Sequence, residues 1–339
     1  MAIPFLLAGA AVLAGGYGIK KGFDAKEDMD RAQSINERAK DIANSTERRI
    51  NNNRKSTSEA IKQLGSTKIS IMANTMDSFV ENFSRIKNID FRDSIGLDEL
   101  RGFDSNSQEF LDMKNASFEA AELTAGGMGA IAAGTLTAAG AYGAAGFIGV
   151  ASTGTAISAL SGAAATNATL AWLGGGALSA GGLGMAGGMA VLGGIVAGPA
   201  LAIGGAFLAS KAEKALNDAR SNLDQARKFE QDGENICSVL KAIQNRADQI
   251  NYLLKDLDDN FSSFIGKMTM IIEMRGNDWR NYRQSDKEEI GITAQLAKTI
   301  KIIVDTSLLK ENGELDDYQS QKALNAGQKT LAKLNQQWR

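Results

Sequence analysis

Residues 134–205 read GTLTAAGAYGAAGFIGVASTGTAISALSGAAATNATLAWLGGGALSAGGLGMAGGMAVLGGIVAGPALAIGG and contain no charged side chain. The charge-free region extends further, over residues 123–210, because Glu122 is the last charged residue before it and Lys211 the first after it. Of its 88 residues, 23 are glycine and 26 are alanine. Glycine weakens an isolated helix in water, whereas small side chains let helices approach closely in a bilayer. The composition therefore favours a membrane as the solvent of this region.

The length of the charge-free region allows several membrane crossings. At ~20 residues per helical span, it has room for two, three or four. We expect an even number, as in a helical hairpin, because the helices on both sides of the region can then pair with each other. Its glycine rows are typical of close helix packing in membranes. The predicted packing residues are Gly140, Gly143, Gly146 and Gly149, with the pairs Gly184 and Gly188, and Gly194 and Gly198.

The charge-free region is only weakly apolar, since glycine and alanine contribute less to insertion than leucine, isoleucine, phenylalanine and valine. A segment that is first soluble and inserts later would benefit from this weakness. Insertion during synthesis and a glycine-rich soluble core stay open as alternatives. We expect a membrane-associated protein that is made in the cytoplasm without a clear cleavable signal peptide.

A second apolar segment occupies residues 1–22. The sequence AIPFLLAGAAVLAGGYGI supplies about 18 apolar residues before Lys20 and Lys21, which is near the minimum for a helical span. In a secretory signal the basic residues normally precede the apolar run. We therefore predict a membrane anchor, with a cleaved signal and a helix packed inside the protein as alternatives. Aromatic and lysine side chains suit the membrane interface, and here these are Tyr17, Lys20, Lys21 and Lys211.

Residues 23–122 and 211–339 carry the charges and show helical periodicity. Apolar and small residues recur at heptad spacing in the first stretch, including Ala32, Ala39, Ile50 and Leu64, and at helical spacing in the second, including Ala219 and Ala226. With only two prolines in the chain, long helices are uninterrupted. Asn51–Asn53 and Gly233 are candidate weak points. We predict an all-α fold: an elongated helical bundle or coiled coil with a Gly/Ala-rich hydrophobic helical hairpin.

Composition argues against several functions. A net charge of −2 without a basic stripe argues against nucleic acid as a partner. Histidine is absent, which removes the commonest general base and metal ligand. The single cysteine, Cys237, reads as a small buried thiol. We therefore expect neither an enzyme nor a cofactor or metal site.

Long charged helices around a central hydrophobic insertion, without a catalytic constellation, resemble the α-helical pore-forming toxins of the cytolysin A and haemolysin BL type. The Gly/Ala-rich hairpin is similar to the membrane regions of the apolipoprotein L group and of pore-forming colicins. The resemblance implies a bundle that oligomerises and inserts residues 123–210 into a lipid bilayer. The apolar N-terminus departs from that pattern, and no residue roles are carried over.

Three functional alternatives follow from these features. The first is a protein that permeabilises or remodels a bilayer. The second is a non-lytic membrane scaffold whose coiled flanks recruit protein partners. The third is a membrane sensor or adaptor, although no effector domain is recognisable in the sequence.

Overall fold

The computed structural model describes residues 19–91, 100–128, 131, 133–143, 212–310 and 313–337. Within these ranges the protein is all-α, as predicted, and holds two isolated β-bridges but no strand. The helices are α1 (Ile19–Ile71), α2 (Asp77–Ser84), α3 (Gln108–Thr124), α4 (Ala133–Tyr142), α5 (Ala212–Arg275), α6 (Gln284–Asp305) and α7 (Asp317–Gln337). A π-helical segment, Met72–Met76, joins α1 to α2, and a 3-10 turn, Trp279–Asn281, lies between α5 and α6.

The described helices divide into two compact units. Unit 1 consists of α1 up to Arg48 and α5 up to Glu234, and unit 2 contains the remainder of both helices with α2, α3, α4, α6 and α7. The two points of division lie close to Asn51–Asn53 and Gly233, the predicted weak points. Both helices nevertheless continue through these residues.

Unit 1 is a pair of helices with a seam of small residues. In α1 the buried residues recur every seven positions at Ala32, Ala39 and Thr46. In α5 the buried positions at the same spacing are Ala219, Ala226 and Gly233. Seven-residue spacing is the signature of a coiled coil. The structure thus confirms that the two charged flanks form helices that pair.

Polar side chains fix the direction of the α1–α5 pair. In unit 1, Asn222 Nδ2 donates a hydrogen bond of 3.1 Å to Asn36 Oδ1. In unit 2, Thr57 Oγ1 donates to the carbonyl of Leu240 at 3.0 Å, and Thr75 Oγ1 donates to the carboxylate of Asp258. The partner's number rises along α5 as the residue number rises along α1. The two helices therefore run parallel.

The core of unit 2 is aromatic where α2, α3 and α5 meet. Phe79 and Phe83 of α2 contact Phe110 of α3 at ring-centroid distances of 6.3 and 5.4 Å. Phe261 of α5 stacks on Phe79 at 5.5 Å, and Phe103 closes the cluster against Phe83 at 5.5 Å. All five rings are buried. Aromatic burial on this scale dominates core energetics.

Helices α6 and α7 complete unit 2. Helix α6 returns antiparallel along α5, with Lys267 paired to Glu289 at 3.2 Å and Arg275 to Asp286 at 3.3 Å. At the start of α7, Arg246 Nη2 binds the Asp317 carboxylate at 2.7 Å. These contacts join the N-terminal part of α6 and the start of α7 to α5, and α4 docks at the opposite, C-terminal end of α6.

Candidate functional site

Helix α4, the first helix of the charge-free region, docks on α1 in unit 2 through backbone contact. A Cβ atom on Gly140 would lie 1.9 Å from the carbonyl oxygen of Ile61, and one on Gly65 would lie 1.8 Å from the carbonyl oxygen of Leu136. Neither position can hold a side chain without moving a backbone. Gly140, predicted to pack helices in a bilayer, thus makes a close helix contact within the bundle.

The C-terminal end of α4 is held by the segment that follows α6. The carbonyl of Ala141 accepts hydrogen bonds from the backbone N–H groups of Leu308 at 2.7 Å and Leu309 at 3.0 Å. Gly143 ends the helix with φ +66, a conformation that glycine adopts without strain. A Cβ there would lie 2.5 Å from the carbonyl oxygen of Asp305. Residues 133–143 of the predicted inserting region therefore form part of unit 2.

A buried lysine lies beside this docking site. Lys68 is completely buried, and its Nζ donates a hydrogen bond of 3.0 Å to the carbonyl of Thr306, the C-cap residue of α6. The carbonyl-rich end of a helix carries partial negative charge and favours a cation. Burial lowers the pKa of Lys68 to about 7, and the nearby carboxylate of Asp305 opposes this effect in part. Near neutral pH, then, the ammonium is close to its titration midpoint.

Lys68 and the α4 contacts occupy one place in the fold. Lys68 follows Gly65 by one turn on the same side of α1. Thr306, its hydrogen-bond partner, is next to Asp305, whose carbonyl faces Gly143. We call this meeting point of α1, α4 and α6 the Lys68 junction.

Helix α5 contributes a buried amide at the same level. The hydrogen bonds Thr57 to Leu240 and Thr75 to Asp258 each join residues 183 apart, and the same spacing separates Lys68 from Asn251. Asn251 is 6 % exposed, and its Oδ1 has no hydrogen-bond partner among the described residues. A buried amide of α5 therefore lies at the level of the junction, among apolar residues such as Ile250 and Leu254.

The other predicted site residues lie elsewhere. Lys20 and Lys21 belong to the first turn of α1. The remaining positions lie outside the described residues: Gly146, Gly149, Gly184, Gly188, Gly194, Gly198, Tyr17 and Lys211. Of the predicted residues, the structure thus brings Gly140 and Gly143 together, on one helix docked in unit 2.

Within the described ranges, two properties of the helices bear on membranes and metals. No helix placed within them combines the length and apolarity that a bilayer crossing requires. The same ranges hold no group of three or more Cys, Asp or Glu side chains that could bind a metal ion.

A groove of about 640 Å³ lies between α1 and α5 on the surface of unit 2. Lys55, Glu59 and Asp248 line it together with amide and hydroxyl side chains. Its charged lining thus consists of one basic and two acidic side chains.

The Lys68 junction was not predicted from the sequence, although a signal for it exists. Ile61, Leu64, Lys68 and Ile71 follow the alternating three- and four-residue spacing of a coiled-coil seam, and all four are buried. A lysine at such a position is exceptional because lysine is almost never fully buried.

No protein-family model, curated protein sequence or solved structure matches this chain. Its function has to be inferred from its own residues.

Proposed function

We propose that this protein inserts into a lipid bilayer through its charge-free region, oligomerises, and permeabilises or remodels that bilayer. The helical bundle of α1 to α7 is the water-exposed body of the protein, and residues 123–210 supply the inserting element.

The parallel direction of α1 and α5 carries the proposal. Helix α1 begins at Ile19, directly after the apolar N-terminal segment, and α5 begins at Ala212, directly after the charge-free region. Because the helices are parallel and Asn36 pairs with Asn222, their N-terminal ends lie together in unit 1. The apolar N-terminal segment and the C-terminal end of the charge-free region consequently join the helix pair at the same end. This is the arrangement expected of a protein whose one end faces a membrane.

The docking of α4 supports a hairpin as the inserting element. With α4 held in unit 2, residues 144–211 remain between the described helices α4 and α5, and 68 residues are enough for at most three spans of ~20 residues. We propose that the helices at both ends of this segment lie on the same side of the bilayer. The number of crossings is then even, and two fits the length.

Dye release tests the proposal. Purified protein is added to vesicles of phosphatidylcholine and phosphatidylglycerol that contain a self-quenched dye, and the same sample is floated on a density gradient. We expect flotation together with dye release. Absence of flotation at every pH and lipid composition would contradict membrane insertion.

A matched pair of variants locates the inserting element. Gly188→Asp introduces a charge that costs about 2.5–3.5 kcal/mol near the centre of a bilayer, whereas Gly188→Ala does not. We expect the aspartate variant to float less and to release less dye than the alanine variant. Equal flotation of the two would remove this position from the hydrocarbon.

A non-lytic membrane scaffold is the second candidate. It is favoured by the outer surface of unit 1, which is charged and exposed, with ion pairs such as Arg31 to Glu27. Charged faces of this kind select partners in coiled coils. Flotation without dye release would favour the scaffold over the permeabilising protein.

A further inference from the structure

Helix α4 is held in unit 2 by backbone contacts with α1 on one side and with the C-terminal end of α6 and the segment after it on the other. Gly140 packs on the backbone of α1 at Ile61, about two turns before Lys68, Gly143 faces the carbonyl of Asp305, and Ala141 accepts the N–H groups of Leu308 and Leu309. Helix α4 itself contains no charged residue. Lys68 connects the two sets of contacts, because Gly65 precedes it by one turn of α1 and its Nζ binds Thr306, next to Asp305.

The junction compensates a charged ammonium group only in part. From α6, the Asp305 carboxylate faces Lys68, but it also accepts a hydrogen bond from Lys301 Nζ. From α4, the titratable group is the buried phenol of Tyr142, and from α5 the polar group is the amide of Asn251. A single backbone carbonyl, that of Thr306, accepts the hydrogen bond described for Lys68. A protonated lysine here is therefore only partly compensated, and hydration would require the junction to open.

We propose that the Lys68 junction is a proton-sensitive latch, in which protonation of Lys68 weakens the docking of α4 on α1 and α6. The signal is the binding of a proton to Lys68, and the effect is the release of the first helix of the charge-free region. The statement that release promotes membrane insertion rests on the proposed function, whereas the latch itself does not.

The titration range of Lys68 supports a response near neutral pH. Burial lowers the pKa of Lys68 from 10.5 to about 7. Once α4 has left and water reaches the ammonium, the pKa returns towards 10.5, so the open form binds more protons than the docked form between these two values. The chain has no histidine, which in most proteins would titrate in this range. We therefore expect the opening equilibrium constant to rise roughly tenfold from about pH 8 to about pH 6 and to level off below.

Hydrogen exchange measures the release of α4 in solution, in the absence of a membrane. Exchange of the amides of residues 133–143, and of Leu308 and Leu309, is followed by mass spectrometry at about pH 8 and about pH 6 and corrected for the intrinsic rate. In the wild type we expect the roughly tenfold loss of protection on acidification. In Lys68→Met, which cannot be protonated, protection should be the same at both pH values. The control Lys322→Met removes an exposed lysine on α7 and should behave as the wild type.

Two further variants test docking directly. Gly140→Ala places a methyl group against the carbonyl of Ile61, so α4 should exchange fast at both pH values. Gly266→Ala adds the same methyl group to α5 where nothing lies within 4 Å, and it should leave α4 protected. Equal protection of α4 in the wild type at both pH values would overturn the latch, and so would a pH response that survives in Lys68→Met. The comparison of wild-type α4 protection at the two pH values tests the latch even if a variant fails to fold.

Dye release in the same buffers separates the latch from the proposed function. If acid frees α4 and also accelerates dye release from vesicles of phosphatidylcholine and phosphatidylglycerol in the wild type but not in Lys68→Met, both proposals are supported. If acid frees α4 but the protein neither floats nor releases dye, the latch stands and membrane insertion is wrong. If the wild type releases dye at equal rates at both pH values while α4 stays protected, insertion stands and the latch is wrong.

Discussion

The same two helices, α1 and α5, are packed by different means in units 1 and 2. Among the described residues of unit 1, the buried ones are alanine, threonine, glycine and a single phenylalanine, Phe229, with a hydrogen bond between two asparagines at 3.1 Å. In unit 2 the two helices share a core that includes a cluster of five buried phenylalanine rings and three further long helices. Apolar burial stabilises in proportion to area, so a seam of alanines contributes far less than a cluster of aromatic rings. The pairing of the helices is therefore weakest in the unit that joins both apolar sequences.

The largest expected effect is the loss of an aromatic ring in unit 2. Phe83→Ala should lower the free energy of unfolding by about 3–5 kcal/mol, because it removes a ring that contacts three others and leaves a cavity. Urea unfolding followed by circular dichroism measures the change. The control Phe118→Ala removes a side chain that is 62 % exposed and should change stability by less than about 0.5 kcal/mol. Similar losses in both variants would contradict the assigned core.

The next effect is the pH dependence that Lys68 imposes on unit 2. Its pKa is lowered to about 7 in the folded protein, so the unfolded chain binds more protons than the folded one above this value. The free energy of unfolding should therefore rise by about 2 kcal/mol from about pH 7 to about pH 9. Lys68→Met should remove this rise. Urea unfolding at a series of pH values tests it, and an unchanged slope in the variant would assign the titration to another group.

The smallest effect concerns the asparagine pair of unit 1. Asn222→Ala leaves Asn36 without its partner and should lower stability by about 1 kcal/mol. Changing both residues to leucine removes the polar group from each side and should be neutral or stabilising, since a polar residue in a seam specifies register at a cost in stability. A double-mutant cycle by urea unfolding measures the coupling. No coupling between the two positions would mean that the hydrogen bond does not fix the pairing.

The helical fold and its seams could be predicted from the sequence, because periodicity reports which face of a helix is buried. Ala32, Ala39, Ala219 and Ala226 were recognised from spacing alone, and all four are buried. The candidate weak points were recognised as well, but the backbone does not break there. Helix hydrogen bonds on either side outweigh the poor propensity of a few asparagines and one glycine.

The docking of α4 could not be predicted from the sequence. Gly65 and Gly140 are 75 positions apart, and nothing local to either glycine indicates that it contacts the other. The parallel direction of α1 and α5 also depends on contacts between distant residues. The burial of Lys68 could not be predicted for the same reason, since it requires a distant segment, the end of α6, to supply a carbonyl.

The π-helical segment Met72–Met76 changes the direction in which the buried side chains of this helical stretch face. A π-helical turn usually arises by insertion of one residue into an α-helix, which rotates everything beyond it by about 100° about the axis. Before the segment, Leu64 and Ile71 are buried on the heptad seam of α1, and after it Phe79 and Phe83 face α3. The extra residue therefore rotates the hydrophobic stripe that follows it relative to the one that precedes it, so that the two stripes face different sides of the helix. Shortening the segment by one residue would put the stripes back in phase and direct the phenylalanines away from the ring cluster that they complete.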